Sequence, residues 1–317
     1  MLDWSRQRIW ITGGTGFLGG ALTRTLKDRG CPLVVSTGLE EGDLAAPGVA
    51  QRLIAEIRPD TVIHLAAVVG GIGANRTRPA EFFHSNLMMG AQVMHESWKG
   101  AVSKFVAIGT ICAYPKHTPV PFREADLWNG YPEETNAPYG LAKKMLLVQA
   151  QAYRSQYGWN AIYLLPVNLY GPGDNFDPAT SHVIPAIIKK MADAVAAGAD
   201  EVVAWGDGSP TREFLYVDDA AEGIALATER YDKPHPVNLG SGAEISIKDL
   251  TETIARCIGF KGRIRWDTSQ PNGQPRRRLD VELAAAEFGF RAHTSFDDGL
   301  RRTVEWYLQQ HRDRQKG

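Results

Sequence analysis

The residues Arg8-Ile9-Trp10-Ile11-Thr12 run directly into Gly13-Gly14-Thr15-Gly16-Phe17-Leu18-Gly19, and a helical stretch follows over residues 21–29. A short β-branched run, a glycine-rich turn and a helix, in that order, form the context in which glycine spacing carries meaning. The glycines permit a tight turn and close backbone approach. The helix N-terminus offers unpaired N–H groups and a positive dipole end to a pyrophosphate. The stretch therefore predicts a dinucleotide loop, with Gly13, Gly16, Phe17, Leu18 and Gly19 as its contacts. An acidic residue ending the second strand would bind a ribose 2′-hydroxyl, and an Arg there would favour a 2′-phosphate. That strand ends instead in Ser36-Thr37-Gly38, whose hydroxyls suit either form. Asp43 is a candidate on the adenine side, with a plain capping role as its alternative.

Outward from this loop, β-branched runs alternate with helical stretches up to residue 130. The runs are Leu33-Val34-Val35-Ser36, Thr61-Val62-Ile63-His64-Leu65 and Lys104-Phe105-Val106-Ala107-Ile108, and Asn160-Ala161-Ile162-Tyr163-Leu164-Leu165 follows a long helix. This alternation predicts an α/β fold, a Rossmann-type doubly wound parallel sheet covered by helices. After Asn168 the turn-rich Gly171-Pro172-Gly173-Asp174-Asn175 opens a region of different texture. Val237-Asn238-Leu239-Gly240 then reads as one more strand of the first sheet. The expected division is a dinucleotide domain over 1–168 with a return segment 212–243. A smaller, discontinuous C-terminal substrate-binding domain is expected over 169–211 and 244–317.

The bulk properties narrow the partners. Over 317 residues, Lys+Arg number 35 against 36 for Asp+Glu, so a net charge of -1 supplies no basic field for nucleic acid. The longest apolar runs are too short to span a bilayer, and Met1-Leu2-Asp3-Trp4-Ser5-Arg6 lacks a signal-peptide core, so the expectation is a cytoplasmic protein without membrane contact. Cys31, Cys112 and Cys257 show neither a disulfide framework nor metal-ligand spacing.

Tyr139-Gly140-Leu141-Ala142-Lys143 sets a phenol and an ammonium one turn apart on one helix face, behind the start signal Asn136-Ala137-Pro138. A free phenol has a pKa of about 10, and a neighbouring Lys cation together with an oxidised nicotinamide is expected to stabilise its ionised form. Alone, such a pair is an ordinary exposed helix pair. Here Thr110 follows the fourth strand, where a hydroxyl can orient the reacting oxygen, so loop, hydroxyl and Tyr/Lys pair arrive in the order proton and hydride transfer require.

At this point the chain resembles the extended short-chain dehydrogenases and, among them, the GDP-L-fucose synthase family of epimerase/reductases. The likeness rests on His64-Leu65-Ala66-Ala67-Val68-Val69-Gly70-Gly71-Ile72, Cys112-Ala113-Tyr114-Pro115-Lys116, Asn168-Leu169-Tyr170-Gly171-Pro172, Asp174-Asn175-Phe176 and Ser181-His182-Val183-Ile184-Pro185. The resemblance implies NADPH as cofactor, with NADH as the alternative, and a GDP-4-keto sugar as substrate. It also implies a homodimer formed through two long helices, one of them bearing Tyr139. A C4 ketone acidifies C3 and C5, so a base and an acid can invert both centres before C4 is reduced. The family pattern makes Cys112 that base and His182 that acid; otherwise Cys112 reads as a small buried hydrophobe and His182 as a helix-start residue.

By the same resemblance Leu65, Ala66, Ala67, Pro166, Asn168 and His182 join the cofactor contacts. Lys190, Arg212 and Arg277 meet the GDP diphosphate, with Arg276 and Arg278 as competitors for Arg277, and Trp205 and Asn168 line the sugar. Thr110 stands where serine is usual in that family, and the second strand lacks the Arg of some of its NADPH users. Two other readings remain at this stage: a related enzyme acting on another GDP-4-keto sugar such as a 6-deoxyheptose, and a nonenzymatic dinucleotide-binding regulator.

Overall fold

The computed structural model describes residues 2–270 and 272–316. Its elements in chain order are β1 (Arg8–Thr12), α1 (Phe17–Asp28), β2 (Leu33–Thr37), α2 (Val49–Ile57), β3 (Thr61–His64), α3 (Ile72–Thr77), α4 (Pro79–Lys99), β4 (Lys104–Ile108), α5 (Ala137–Tyr157), β5 (Asn160–Pro166) and β6 (Asn168–Tyr170). There follow α6 (Val183–Ala196), β7 (Glu201–Trp205), β8 (Thr211–Tyr216), α7 (Val217–Arg230), β9 (Val237–Leu239), β10 (Glu244–Ser246), α8 (Ile247–Ile258), β11 (Arg263–Asp267), β12 (Arg276–Arg277), α9 (Glu282–Phe288) and α10 (Phe296–Lys316).

Six strands form one parallel sheet in the order β2-β1-β3-β4-β5-β9. Every residue of β3 and β4 is buried, as both faces are covered: α1 packs on α7 on one side, and α4 packs on α2 and α5 on the other. The chain leaves β1 for β2 on one flank and returns for β3 on the other. The ends of β1 and β3 therefore part at a switch point, where open α/β sheets bind ligands.

A second core gathers Tyr170, Ile184, Ile188, Met191, Leu250, Ile254, Leu300 and Val304. Around it stand the small sheet β10-β8-β12, with β6 paired to β8, and the pair β7–β11. Within 212–243, β8 lies in the small sheet, whereas α7 packs on α1 and β9 closes the large sheet. The three cysteines are free, Cys31 buried, Cys112 half-buried and Cys257 exposed. No helix among the described residues is long and apolar enough to cross a membrane.

Candidate active site

At the switch point three backbones meet. Gly13 has φ +68°, and a Cβ there would lie 2.9 Å from Ala66 N; one on Gly19 would lie 2.4 Å from Gly13 O. Only glycine permits both approaches. The Thr12 hydroxyl accepts from Ala66 N at 3.2 Å and bonds His64 Nδ1 at 2.8 Å, fixing the end of β3 beside the loop. Gly16 caps α1 without a side-chain hydrogen bond, so the first N–H groups of the helix face the loop. This cradle of backbone N–H groups and a dipole end fits the pyrophosphate of a dinucleotide. The hydroxyls at the end of β2 already have partners within the protein. Thr37 is buried and accepts from Trp10 Nε1 at 2.9 Å, and Ser36 shares a 2.8 Å bond with Thr23. Asp43 accepts from Ala45 N at 2.9 Å in a local turn.

Thr110, Cys112 and Tyr139 converge beyond β4. Thr110 accepts from Cys112 N at 3.2 Å, starting the 3₁₀ turn Ile111–Ala113. Gly140 brings α5 onto that turn: a Cβ there would stand 2.3 Å from Cys112 O, so any side chain at position 140 would push the phenol away. Tyr163 Oη donates to Lys143 O at 2.9 Å and pins the same helix from β5. The phenol of Tyr139 is raised above its ordinary value, first by burial and then by Cys112, with a bond to the Thr110 side chain pulling the other way. The lowering expected from Lys143 together with an oxidised nicotinamide is a property of the loaded site, and the protein alone does not supply it. Burial, with no compensating carboxylate, instead pushes Lys143 down to about 8.

Opposite the thiol stand two guanidinium groups. Arg277 pairs in register with Arg212 across β12 and β8, and Arg277 Nη1 points at Cys112 Sγ at 3.8 Å. Burial, then Arg277, pushes Arg212 down to about 10, against the pull of Cys112. Arg276 pairs with Glu244, and Arg278 approaches the same carboxylate at 4.0 Å. Among the described residues neither Arg212 nor Arg277 has a carboxylate partner. Two adjacent cations so placed suit a diphosphate.

Their mounting involves residues that the sequence reading passed over. The buried Glu213 accepts from Leu279 N at 2.6 Å and Gly242 N at 2.7 Å, clamping the β12 segment to β8. A charged residue directly before the apolar run Phe214-Leu215-Tyr216 was the available signal. Gln274 donates to Lys116 O at 2.6 Å and accepts from Arg277 Nε at 2.6 Å, so the segment before β12 is tied to the chain that follows Cys112.

His182 begins α6. Its neighbours meet the 65–71 loop, with Gly71 N donating to Thr180 O at 3.1 Å. The ring opens to solvent on one side, yet the protein around it holds the imidazole below its ordinary value. It makes no hydrogen bond with Tyr139 or Cys112. Asn168 donates to Glu213 O at 3.2 Å, and Pro166 ends β5. Lys190, exposed on α6, donates to Val203 O at 2.9 Å, and Trp205 is exposed at the end of β7.

The chain belongs to the NAD dependent epimerase/dehydratase family, whose model matches residues 9–240. Within that class it is similar to GDP-L-fucose synthase 1 of Arabidopsis thaliana, at 40% identity over 95% of this chain and 93% of the relative. Among solved structures it resembles a GDP-6-OMe-4-keto-L-xylo-heptose reductase from C. jejuni, at TM-score 0.91 and 27% identity over 98% of this chain and 99% of that one. It also resembles a GDP-L-fucose synthetase from Naegleria fowleri bound to NADP, at TM-score 0.89 and 27% identity over 98% and 97%.

Proposed function

We propose that this protein converts GDP-4-keto-6-deoxy-D-mannose to GDP-L-fucose, inverting C3 and C5 and then reducing C4 with NADPH. The observation that carries the reading is the convergence of Thr110, Cys112 and Tyr139 within reach of the Arg212–Arg277 pair. Arg212 and Arg277 hold the diphosphate, assisted by Lys190, and Asn168 and Trp205 flank the sugar. Cys112 removes the protons at C3 and C5, and His182 returns them on the opposite face. Thr110 orients the C4 oxygen and Tyr139 gives it a proton, with Lys143 behind. Gly13, Gly16, Phe17, Leu18 and Gly19 hold the pyrophosphate, with Asp43, Leu65, Ala66, Ala67 and Pro166 along the rest of the dinucleotide. When bound, the nicotinamide supplies the hydride for C4.

A large sheet carrying the dinucleotide over 1–168, with α7 and β9 returning to it, and a sugar-binding remainder that includes β8 are part of the same reading. So are a cytoplasmic location, which suits three free cysteines, and a homodimer through α4 and α5. Phe83, Val148 and Tyr157 are exposed apolar side chains on that helix pair. The likeness to the heptose reductase favours a second reading, the same chemistry on a GDP-4-keto heptose. Incubation with GDP-4-keto-6-deoxymannose and NADPH, read by NMR, is expected to give GDP-L-fucose. Turnover of the heptose substrate alone would install the second reading.

Replacing Arg277 or Arg212 by Ala is expected to raise KM for the GDP-sugar roughly 10- to 100-fold, as loss of a charge-assisted contact costs about 1.5–3 kcal/mol. Arg276→Ala, whose partner is Glu244, is expected to leave KM near the parent value. Equal effects of Arg276→Ala and Arg277→Ala would remove the diphosphate assignment.

A further inference from the structure

The turn after β2 lies against the phosphate loop: a Cβ on Gly38 would be 2.4 Å from Thr15 Oγ1. In this fold the adenosine ribose falls at the end of that strand. What the turn offers is acidic. Between residues 30 and 51 there is no Lys or Arg, while Glu40, Glu41 and Asp43 are all exposed. The Glu41 carboxylate accepts from the backbone N–H of Gly38 at 2.7 Å, holding an anion at the strand end. The hydroxyls of Ser36 and Thr37 are engaged with Thr23 and Trp10. The next cation along the chain, Arg52, pairs with Glu56 at 3.0 Å and donates to the Glu41 carbonyl.

A 2′-phosphate brings close to two negative charges to whatever surrounds it and is favoured by a cation there and opposed by carboxylates. A 2′-hydroxyl has a proton to donate, and a carboxylate accepts it. We infer that this site does not select for the 2′-phosphate, that Glu41 is the residue that sets this, and that NADH binds at least as tightly as NADPH. The inference rests on the dinucleotide part of the proposed function and is independent of the sugar.

Titration of the full chain with NADH and with NADPH, followed by calorimetry or nucleotide fluorescence without GDP-sugar, tests it. The dissociation constant for NADH is expected to equal or fall below that for NADPH. Glu41→Gln keeps an acceptor for Gly38 N–H and removes the charge, and Glu41→Arg supplies a cation. The ratio of the two constants is expected to move toward NADPH by about threefold in the first and about tenfold or more in the second. Parent protein that binds NADPH more than about tenfold tighter than NADH, or a ratio that neither variant moves, overturns the inference. Binding of neither nucleotide overturns it together with the dinucleotide reading. Normal binding without turnover of any GDP-sugar counts against the sugar assignment alone.

Discussion

Tyr139→Phe is expected to lower kcat for ketone reduction by roughly 10²–10⁴, the usual contribution of a positioned general acid, while dinucleotide affinity changes little. The ring that remains still packs edge-on against Phe82 at 6.3 Å, and α5 stays pinned through Lys143 O, so the loss reports the hydroxyl and not the fold. Burial and Cys112 hold the phenol above its ordinary value, so it keeps its proton at neutral pH, the state required of a group that must give one to the C4 oxygen. Lys143 adds a pH signature. Its ammonium is brought down to about 8, so whatever the charge contributes is present below that pH and fades as pH rises through it. The kcat/KM–pH profile of the parent, which reports the free enzyme, is expected to fall on the alkaline side near this value, and Lys143→Met is expected to lose that limb along with most of the rate. Turnover of Tyr139→Phe at the parent rate would take the phenol out of the reaction.

The parallel sheet was legible because its strands are β-branched runs bounded by turns, a pattern set by local chemistry. The start of α1 was not. The helical stretch read from residue 21 begins at Phe17, and Gly19 lies inside it because only a residue without Cβ can approach Gly13 and Gly14 there. Pairing partners were equally hidden: nothing local in Arg212-Glu213-Phe214-Leu215-Tyr216 says that β8 joins β6, β10 and β12 and not the strands before it. Arg276, Arg277 and Arg278 are indistinguishable in sequence. Glu244, more than thirty residues away, separates them by taking Arg276 and approaching Arg278. The upward shift of Tyr139 in the protein alone was hidden for the same reason, since desolvation belongs to the folded environment whereas the Tyr/Lys spacing belongs to the chain.

Cys112→Ala is expected to reduce solvent deuterium uptake at C3 and C5 by roughly 10²–10⁴, again the range for removal of a positioned base, while C4 reduction continues. The product should then be the 6-deoxy sugar that keeps the substrate's configuration at C3 and C5. The two steps separate because their proton carriers sit on different elements. The thiol is on the 3₁₀ turn held by Thr110 and approached by Arg277, and the phenol is on α5, which Gly140 lets rest on that turn. Truncating Cys112 removes one sulfur from a half-buried position and leaves the Cys112 carbonyl, against which Gly140 packs, in place. Cys112→Ser retains the volume with a far weaker base at neutral pH, so it should behave like the alanine variant; a full rate in the serine variant alone would make the residue a spacer. Deuterium entering both carbons at the parent rate in Cys112→Ala would assign the base elsewhere.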